Sequence, residues 1–271
     1  MKWTLTERLA EFPDSAESWL FRDPVRNTVP LTVLHRMRRG WWREGALLGW
    51  LTSDDGAVCG AALHTPPHPV ALADIPGDAV RPLAEALGGR RAGAVSGPLA
   101  QAEAFSAAWH RPESARMTQR LFRLGTLEAA SARGAARLAD DRDRERLTAW
   151  LGEFLAEAEP SSGHPDPAPQ VRLRIEQGEL MVWEDEGRPV AMAGFSSPVA
   201  GMARVGPVYT PVGSRRRGYG SAVTHAASMA ARAAGATEVV LFTDLANPTS
   251  NAIYQALGYR PVADYATIWF G

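Results

Sequence analysis

Apolar and polar positions along this chain switch repeatedly between a period of two and a period near 3.6, and each switch marks an element. Gly45-Ala-Leu47-Leu48-Gly-Trp50 and Gly56-Ala-Val58-Cys-Gly-Ala-Ala62 read as neighbouring strands joined by a turn at Asp54-Asp55-Gly56. The same pattern, Gly-x-Leu-(apolar)-x-Trp, then a turn and a strand of small apolar residues, returns at Gly178-Glu-Leu180-Met181-Val-Trp183 and Gly187-Arg-Pro-Val190-Ala-Met-Ala193. An internal repeat offset by about half the chain follows from that recurrence. In the first half, 70–75 reads as a strand, 78–87 as a helix, 92–95 as a strand, 98–110 as a helix and 117–127 as a strand. In the second half Leu147, Trp150, Leu151, Phe154 and Leu155 recur at helical spacing, forming one apolar stripe to lie against a sheet. A Pro-rich break at 159–169 precedes a second helix at 170–177. A strand at 204–210, an alanine-rich helix ending near Ala234, a strand at 238–243 and a short helix at 248–257 complete the pattern. The expected fold class is α/β, of the mixed-sheet α+β kind, in two lobes that are copies of one unit.

The most pointed chemistry sits between the strand at 204–210 and the helix after it, in Arg215-Arg216-Arg217-Gly218-Tyr219-Gly220-Ser221. The first N–H groups of a helix have no intrahelical acceptor, and the macrodipole favours negative charge there. Glycine lets the backbone approach a ligand, and arginine suits phosphate. This is a phosphate cradle built from main chain, although a tight connection beside a solvated charge run is the plain alternative. The dinucleotide fingerprint fails because Val223 stands at its third glycine, and the P-loop fails because Lys2 is the only lysine. That single lysine also disfavours a Schiff-base enzyme.

Composition narrows the classes further. With 29 basic and 30 acidic side chains, the chain presents no broad electrostatic case for nucleic acid. Cys59 is the sole cysteine, which excludes an internal disulfide and a thiolate-rich metal site, and no metal is expected. Met1-Lys2-Trp3-Thr-Leu-Thr-Glu7 has no apolar signal-peptide core, and no apolar run approaches membrane-spanning length, so no membrane partner and a cytoplasmic location are expected.

Beyond the strand at 238–243 lies Asp244-Leu-Ala-Asn247-Pro-Thr-Ser250-Asn251-Ala-Ile-Tyr254-Gln-Ala-Leu-Gly258-Tyr259. Arg-x-x-Gly-x-Gly at 215–220, followed by Asn-x-x-(small)-x-x-x-Tyr-x-x-x-Gly-(aromatic) at 247–259, resembles the GNAT acetyltransferase superfamily. The resemblance extends over about 135–271 and is specific at 204–260. It implies an acyl-coenzyme A co-substrate, acetyl-CoA above all, whose pyrophosphate meets Arg215, Arg216, Arg217, Gly218, Tyr219, Gly220 and Ser221. It further implies that Val208, Tyr209 and Thr210 pair with the pantetheine arm and that Asn247 and Asn251 adjoin it. Tyr254 matches the tyrosine that protonates the departing thiolate, and the main-chain N–H of Val208 would serve the oxyanion. Tyr254 also falls inside a short helix, where a tyrosine is often a core residue.

The carboxylate that many of these enzymes carry on the central strand is missing from 204–210. Asp244 is the nearest acidic candidate for a general base, and an ordered water would also serve. His164 and Asp166 lie where such folds form the acceptor pocket, although a polar surface loop is the plainer account. His225, in the alanine-rich helix, reads as a packing or surface residue.

The expected organisation is a degenerate, non-catalytic GNAT-like domain over 1–130 and a catalytic domain over 131–271. The earlier lobe lacks both motifs: its corresponding loop is Ile75-Pro-Gly-Asp78. It is expected to close the acceptor side or to mediate homodimer contacts. The expected reaction is transfer of an acetyl group to the amine of a small molecule or peptide by direct attack, with no covalent enzyme intermediate. The alternatives are a tRNA-dependent aminoacyl transferase of tandem-GNAT type and a non-catalytic acyl-coenzyme A sensor.

Overall fold

The computed structural model describes residues 1–41, 45–88, 92–158 and 166–271. From the N-terminus the elements are β1 (Lys2–Thr6), α1 (Asp14–Leu20), α2 (Thr28–Arg38), β2 (Leu47–Thr52), β3 (Val58–His64), β4 (Val70–Leu72), α3 (Val80–Leu87), β5 (Ala94–Pro98), α4 (Leu99–Ala108) and β6 (Glu113–Leu124). The second series is β7 (Ala135–Leu138), α5 (Arg144–Ala158), α6 (Ala168–Glu176), β8 (Leu180–Asp185), β9 (Arg188–Phe195), β10 (Met202–Tyr209), α7 (Tyr219–Ala233), β11 (Glu238–Asp244), α8 (Pro248–Ala256) and β12 (Tyr259–Phe270). Both series run β-α-α-β-β-β-α-β-α-β, so the repeat that the two hairpins announce extends to every element.

Pairing repeats as well. In the first series β1, β2, β3 and β4 are successive antiparallel neighbours and β4 is parallel to β5. In the second, β7, β8, β9 and β10 are antiparallel neighbours and β10 is parallel to β11. Both hairpins that share the Gly-x-Leu pattern carry an irregularity late in their register, between Leu51 and Thr52 and between Trp183 and Glu184. Parallel neighbours need a crossover, and α3 and α7 supply it.

The chain forms two compact units, 1–121 with 262–271, and 122–261. The division therefore falls earlier than the boundary expected after residue 130, and the C-terminus returns to the first unit. The reason is a hydrogen-bond ladder: Tyr265 to Trp269 of β12 run antiparallel to Pro98 to Ala94 of β5. The first unit's core includes Leu20, Leu31, Leu34, Leu48, Leu63, Leu83 and Phe105, all essentially inaccessible.

In the second unit the period of two divides the sheet's side chains between two cores. Met181, Ala193 and Val205 face α7 and α8, together with Val223, Ala227, Leu241, Tyr254 and Tyr259. Val182, Met192 and Tyr209 face α5 and α6, with Leu147, Trp150, Leu151 and Val171. Alanines on α7 let that helix lie close to the strands, and its buried Ser228 shares a 2.7 Å hydrogen bond with the Tyr259 hydroxyl. Among the described residues no helix is long and apolar enough to cross a membrane.

Candidate functional site

The second unit's sheet opens where β10 leaves β11. Their parallel register covers Met202, Ala203 and Arg204 against Glu238, Val239 and Val240, and then stops, while β10 continues to Tyr209 and β11 to Asp244. On its other edge β10 stays paired with β9 through Val205↔Phe195, Val208↔Ala193 and Tyr209↔Met192, with an extra residue between Val205 and Val208. A bulge of this kind bends its strand and re-aims the residues beyond it. The sequence supplies the means, since Gly206 adopts φ 140° and Pro207 has no N–H to give to a ladder.

The loop after β10 turns through two left-handed residues, Arg216 at φ 63° and Gly218 at φ 82°, before α7 begins at Tyr219. A side chain at Gly218 would meet the carbonyl oxygen of Ser131 at 3.0 Å as well as an unfavourable φ, so glycine is required twice over. A Cβ at Gly220 would come within 3.3 Å of the Thr210 hydroxyl. The main-chain N–H groups of Tyr219, Gly220 and Ser221 have no acceptor among the described residues. The helix mouth is therefore a set of aligned, unfilled donors at the positive end of α7.

The three arginines divide. The Arg215 guanidinium donates from Nε to the Thr210 carbonyl at 2.8 Å and from Nη2 to both Glu157 carboxylate oxygens at 2.8 and 2.9 Å. It also lies 5.7 Å from the Tyr209 ring centroid, so it ties the loop to β10 and α5 rather than reaching out. Arg216 and Arg217 are exposed. Tyr219 is buried, and its hydroxyl donates to Asp185 Oδ2 at 2.5 Å, which anchors the mouth to the end of β8 and raises the phenol's pKa. Ser221 is half-buried in the first turn.

Across the opening, Asn247 caps α8: its Oδ1 accepts from the Ser250 N–H at 3.0 Å. Asn251 donates from Nδ2 to the main-chain carbonyls of Asp244 at 2.9 Å and Asn247 at 2.7 Å. The Asp244 carboxylate accepts from the Ala246 N–H at 2.8 Å, closing the turn after β11. Those three polar side chains shape the start of α8 locally. Tyr254, one turn further on, is buried in the α7/α8 core beside Tyr259, yet its hydroxyl has no hydrogen-bond partner among the described residues. Burial pushes its pKa up to about 12, so the phenol keeps its proton at neutral pH.

The geometry adds Glu153 and Glu157, which motif spacing did not single out, and gives Tyr209 a side-chain partner. Tyr209, next to Val208, points to the α5/α6 face, and its hydroxyl donates to Glu153 Oε2 at 2.6 Å. Burial first, and then Glu153, pushes the Tyr209 phenol up to about 12. Glu153 and Glu157 lie one helical turn apart on α5, a spacing that puts both carboxylates on one face and was open to sequence reasoning. Asp166 is exposed and accepts from the Ala168 N–H at 3.0 Å, while His164 lies outside the described residues.

Comparison with known proteins gives a family match over most of the second series. Residues 144–259 match the family model described as the Acetyltransferase (GNAT) family. No curated protein sequence matches the chain. Among solved structures, the chain is similar to an acetyltransferase from the GNAT family of Colwellia psychrerythraea, with 11% identity, 100% of both chains covered and a TM-score of 0.62. It is similar also to a GCN5-related N-acetyltransferase from Sphaerobacter thermophilus, with 15% identity, 98% of this chain and 94% of that one covered, and a TM-score of 0.61. A Drosophila protein aligns at 12% identity over 99% and 98% of the two chains, with a TM-score of 0.67. At such identities the likeness is one of fold.

Proposed function

We propose that this chain, whose residues 144–259 match the GNAT acetyltransferase family model, is an N-acyltransferase that moves the acetyl group of acetyl-CoA to a primary amine of a small molecule or peptide by direct attack. The observation that carries this reading is the row of unfilled N–H donors at Tyr219, Gly220 and Ser221, set beside a strand that has parted from its neighbour. A diphosphate suits that mouth, because its charge meets aligned dipoles and the exposed Arg216 and Arg217. Arg215 serves indirectly, since Glu157 and the Thr210 carbonyl hold it as a brace for the loop. Val208, Tyr209 and Thr210 line the pantetheine path, with Asn247 and Asn251 fixing the opposite wall at the start of α8.

Bound there, acetyl-CoA supplies an activated acyl carbon and a thiolate leaving group. The chain's part is alignment and proton handling. The Val208 N–H stabilises charge developing on the acyl oxygen. Tyr254, buried, protonated and without a competing acceptor, gives its proton to the departing sulfur.

The first unit is assigned a structural role. At the place of the phosphate loop it carries Asp74-Ile75-Pro76-Gly77-Asp78, with Ile75 fully buried and Asp74 held by Arg26 and Gln101, each at 3.0 Å. The loop itself has no arginine, and the guanidinium beside it, Arg26, is committed to Asp74, so nothing like the exposed Arg216 and Arg217 is offered to a diphosphate.

Acetyl-CoA at a hundred times its dissociation constant should stabilise the protein by about 2.7 kcal/mol and slow amide exchange across 215–221. An unshifted melting transition, together with unprotected amides in that loop, rejects the assignment.

A further inference from the structure

We infer that Glu153 and Tyr209 form the proton-accepting arm of the transfer reaction, filling the place of the carboxylate that β10 lacks. The inference rests on the acyltransferase reading above and adds to it a residue that lies on α5, outside both sequence motifs.

The argument is one of faces. Val208 and Tyr209 are consecutive on the strand that parts from β11. The Tyr209 side chain belongs to the core under α5 and α6, whereas Tyr254 belongs to the core under α7 and α8. A carbonyl held at Val208 therefore has a proton donor on one face of the strand and the Tyr209–Glu153 pair on the other. Acyl transfer to an amine needs two separate proton-handling groups: one proton must leave the entering nitrogen and another must reach the departing sulfur.

The acceptor nitrogen forms its bond to the acyl carbon as the carbon–sulfur bond breaks. Its surplus proton passes to the Tyr209 oxygen while Tyr209 hands its own proton to Glu153 Oε2, along the existing 2.6 Å hydrogen bond. Tyr254 protonates the thiolate and regains a proton from solvent, and Glu153 releases its proton to solvent, so the balance closes.

The surroundings suit the role. Glu157 on the same helix face is occupied by Arg215, whose guanidinium also covers the Tyr209 ring. Glu153 makes no ion pair among the described residues, and its carboxylate is exposed, so it can exchange protons with water. Trp150 packs 6.4 Å from the Tyr209 ring and fixes its direction.

The test uses the full-length protein, acetyl-CoA and a panel of primary amines comprising spermidine, a lysine-bearing peptide and an aminosugar. Glu153→Gln preserves the shape and an acceptor for the Tyr209 hydroxyl, and Tyr209→Phe removes the relay. Each variant should lose about a hundredfold in kcat/KM at neutral pH, a deficit that shrinks as rising pH deprotonates the free amine. Calorimetric affinity for coenzyme A should stay at the wild-type value in Glu153→Gln. A Glu153→Gln enzyme as fast as wild type at every pH overturns the inference while leaving the acyltransferase reading intact. A wild-type protein that releases no thiol with any amine overturns both.

Discussion

Tyr254 combines two properties that seldom coincide, since it is buried and its hydroxyl spends no hydrogen bond inside the protein. A hydroxyl that bonds to no protein group gives little to stability, because its loss breaks no internal hydrogen bond. Tyr254→Phe should therefore leave the melting temperature unchanged or slightly raised, leave coenzyme A affinity intact, and cut kcat about a hundredfold. Equal turnover of wild type and variant in a thiol-release assay would remove Tyr254 from the chemistry. Tyr254 is a candidate that the sequence alone could offer, because its spacing from Asn247 and Gly258 is local and spans a single helix. Glu153 was not, since its partner stands 56 residues away on a strand, and no local pattern encodes that encounter. The commitment of Arg215 to Glu157 was hidden for the same reason: three adjacent arginines look alike until a fold gives one of them a carboxylate.

At the scale of elements, two helix ends show how a short motif stands for three-dimensional crowding. Gly218 opens α7 at φ 82° beside the Ser131 carbonyl, and Gly258 follows α8 at φ 94°, where a Cβ would overlap the carbonyl oxygen of Thr126. Gly258 is also bound from its own carbonyl by the Gly125 N–H at 3.0 Å, so the segment after β6 is laid directly against the end of α8. Gly218→Ala should cost about 1–2 kcal/mol from its left-handed backbone and weaken coenzyme A binding. Gly258→Ala carries the same backbone penalty plus a steric overlap with main chain that cannot rotate away, so it should cost more, on the order of 3 kcal/mol, with coenzyme A affinity retained in whatever folds. Urea unfolding of both variants, read beside calorimetric titration, separates the two; equal stability losses would show that the Thr126 contact relaxes freely. Both glycines stood in the sequence motif, but the carbonyls that enforce them belong to 125–132, a stretch without periodicity. Helix ends were legible to within a few residues: the stripe from Leu147 to Leu155 lies within Arg144–Ala158, and the strand expected at 70–75 ends at Leu72 because Ile75 already turns into the buried loop.

At the scale of the whole molecule, the doubled element order was legible from one pair of hairpins, because Gly-x-Leu-(apolar)-x-Trp opens a strand pair with a register irregularity in both halves of this chain. The pairing of β12 with β5 was not, since β12 reads as an ordinary final strand and its choice of neighbour depends on hydrogen bonds to a segment more than half the chain away. That distribution of buried aromatic residues has a consequence for pH. All five tyrosines lie in the second series, and all have raised pKa values. Burial is the leading cause at Tyr209 and Tyr254, each pushed up to about 12, and at Tyr259 and Tyr265, which are raised further. An unfolded tyrosine titrates near pH 10, so above that pH the unfolded chain has released protons that the folded one retains. Stability must then fall as pH rises, by about 1.4 kcal/mol per pH unit for each such group, and it is fully present only below pH 10. With Tyr209, Tyr254, Tyr259 and Tyr265 acting together, a marginally stable fold should unfold cooperatively between pH 10 and 12, with phenolate absorbance appearing at the same midpoint as the loss of circular dichroism. Phenolate absorbance rising near pH 10 while the circular dichroism stays native would mean that these side chains are open to water in the folded protein.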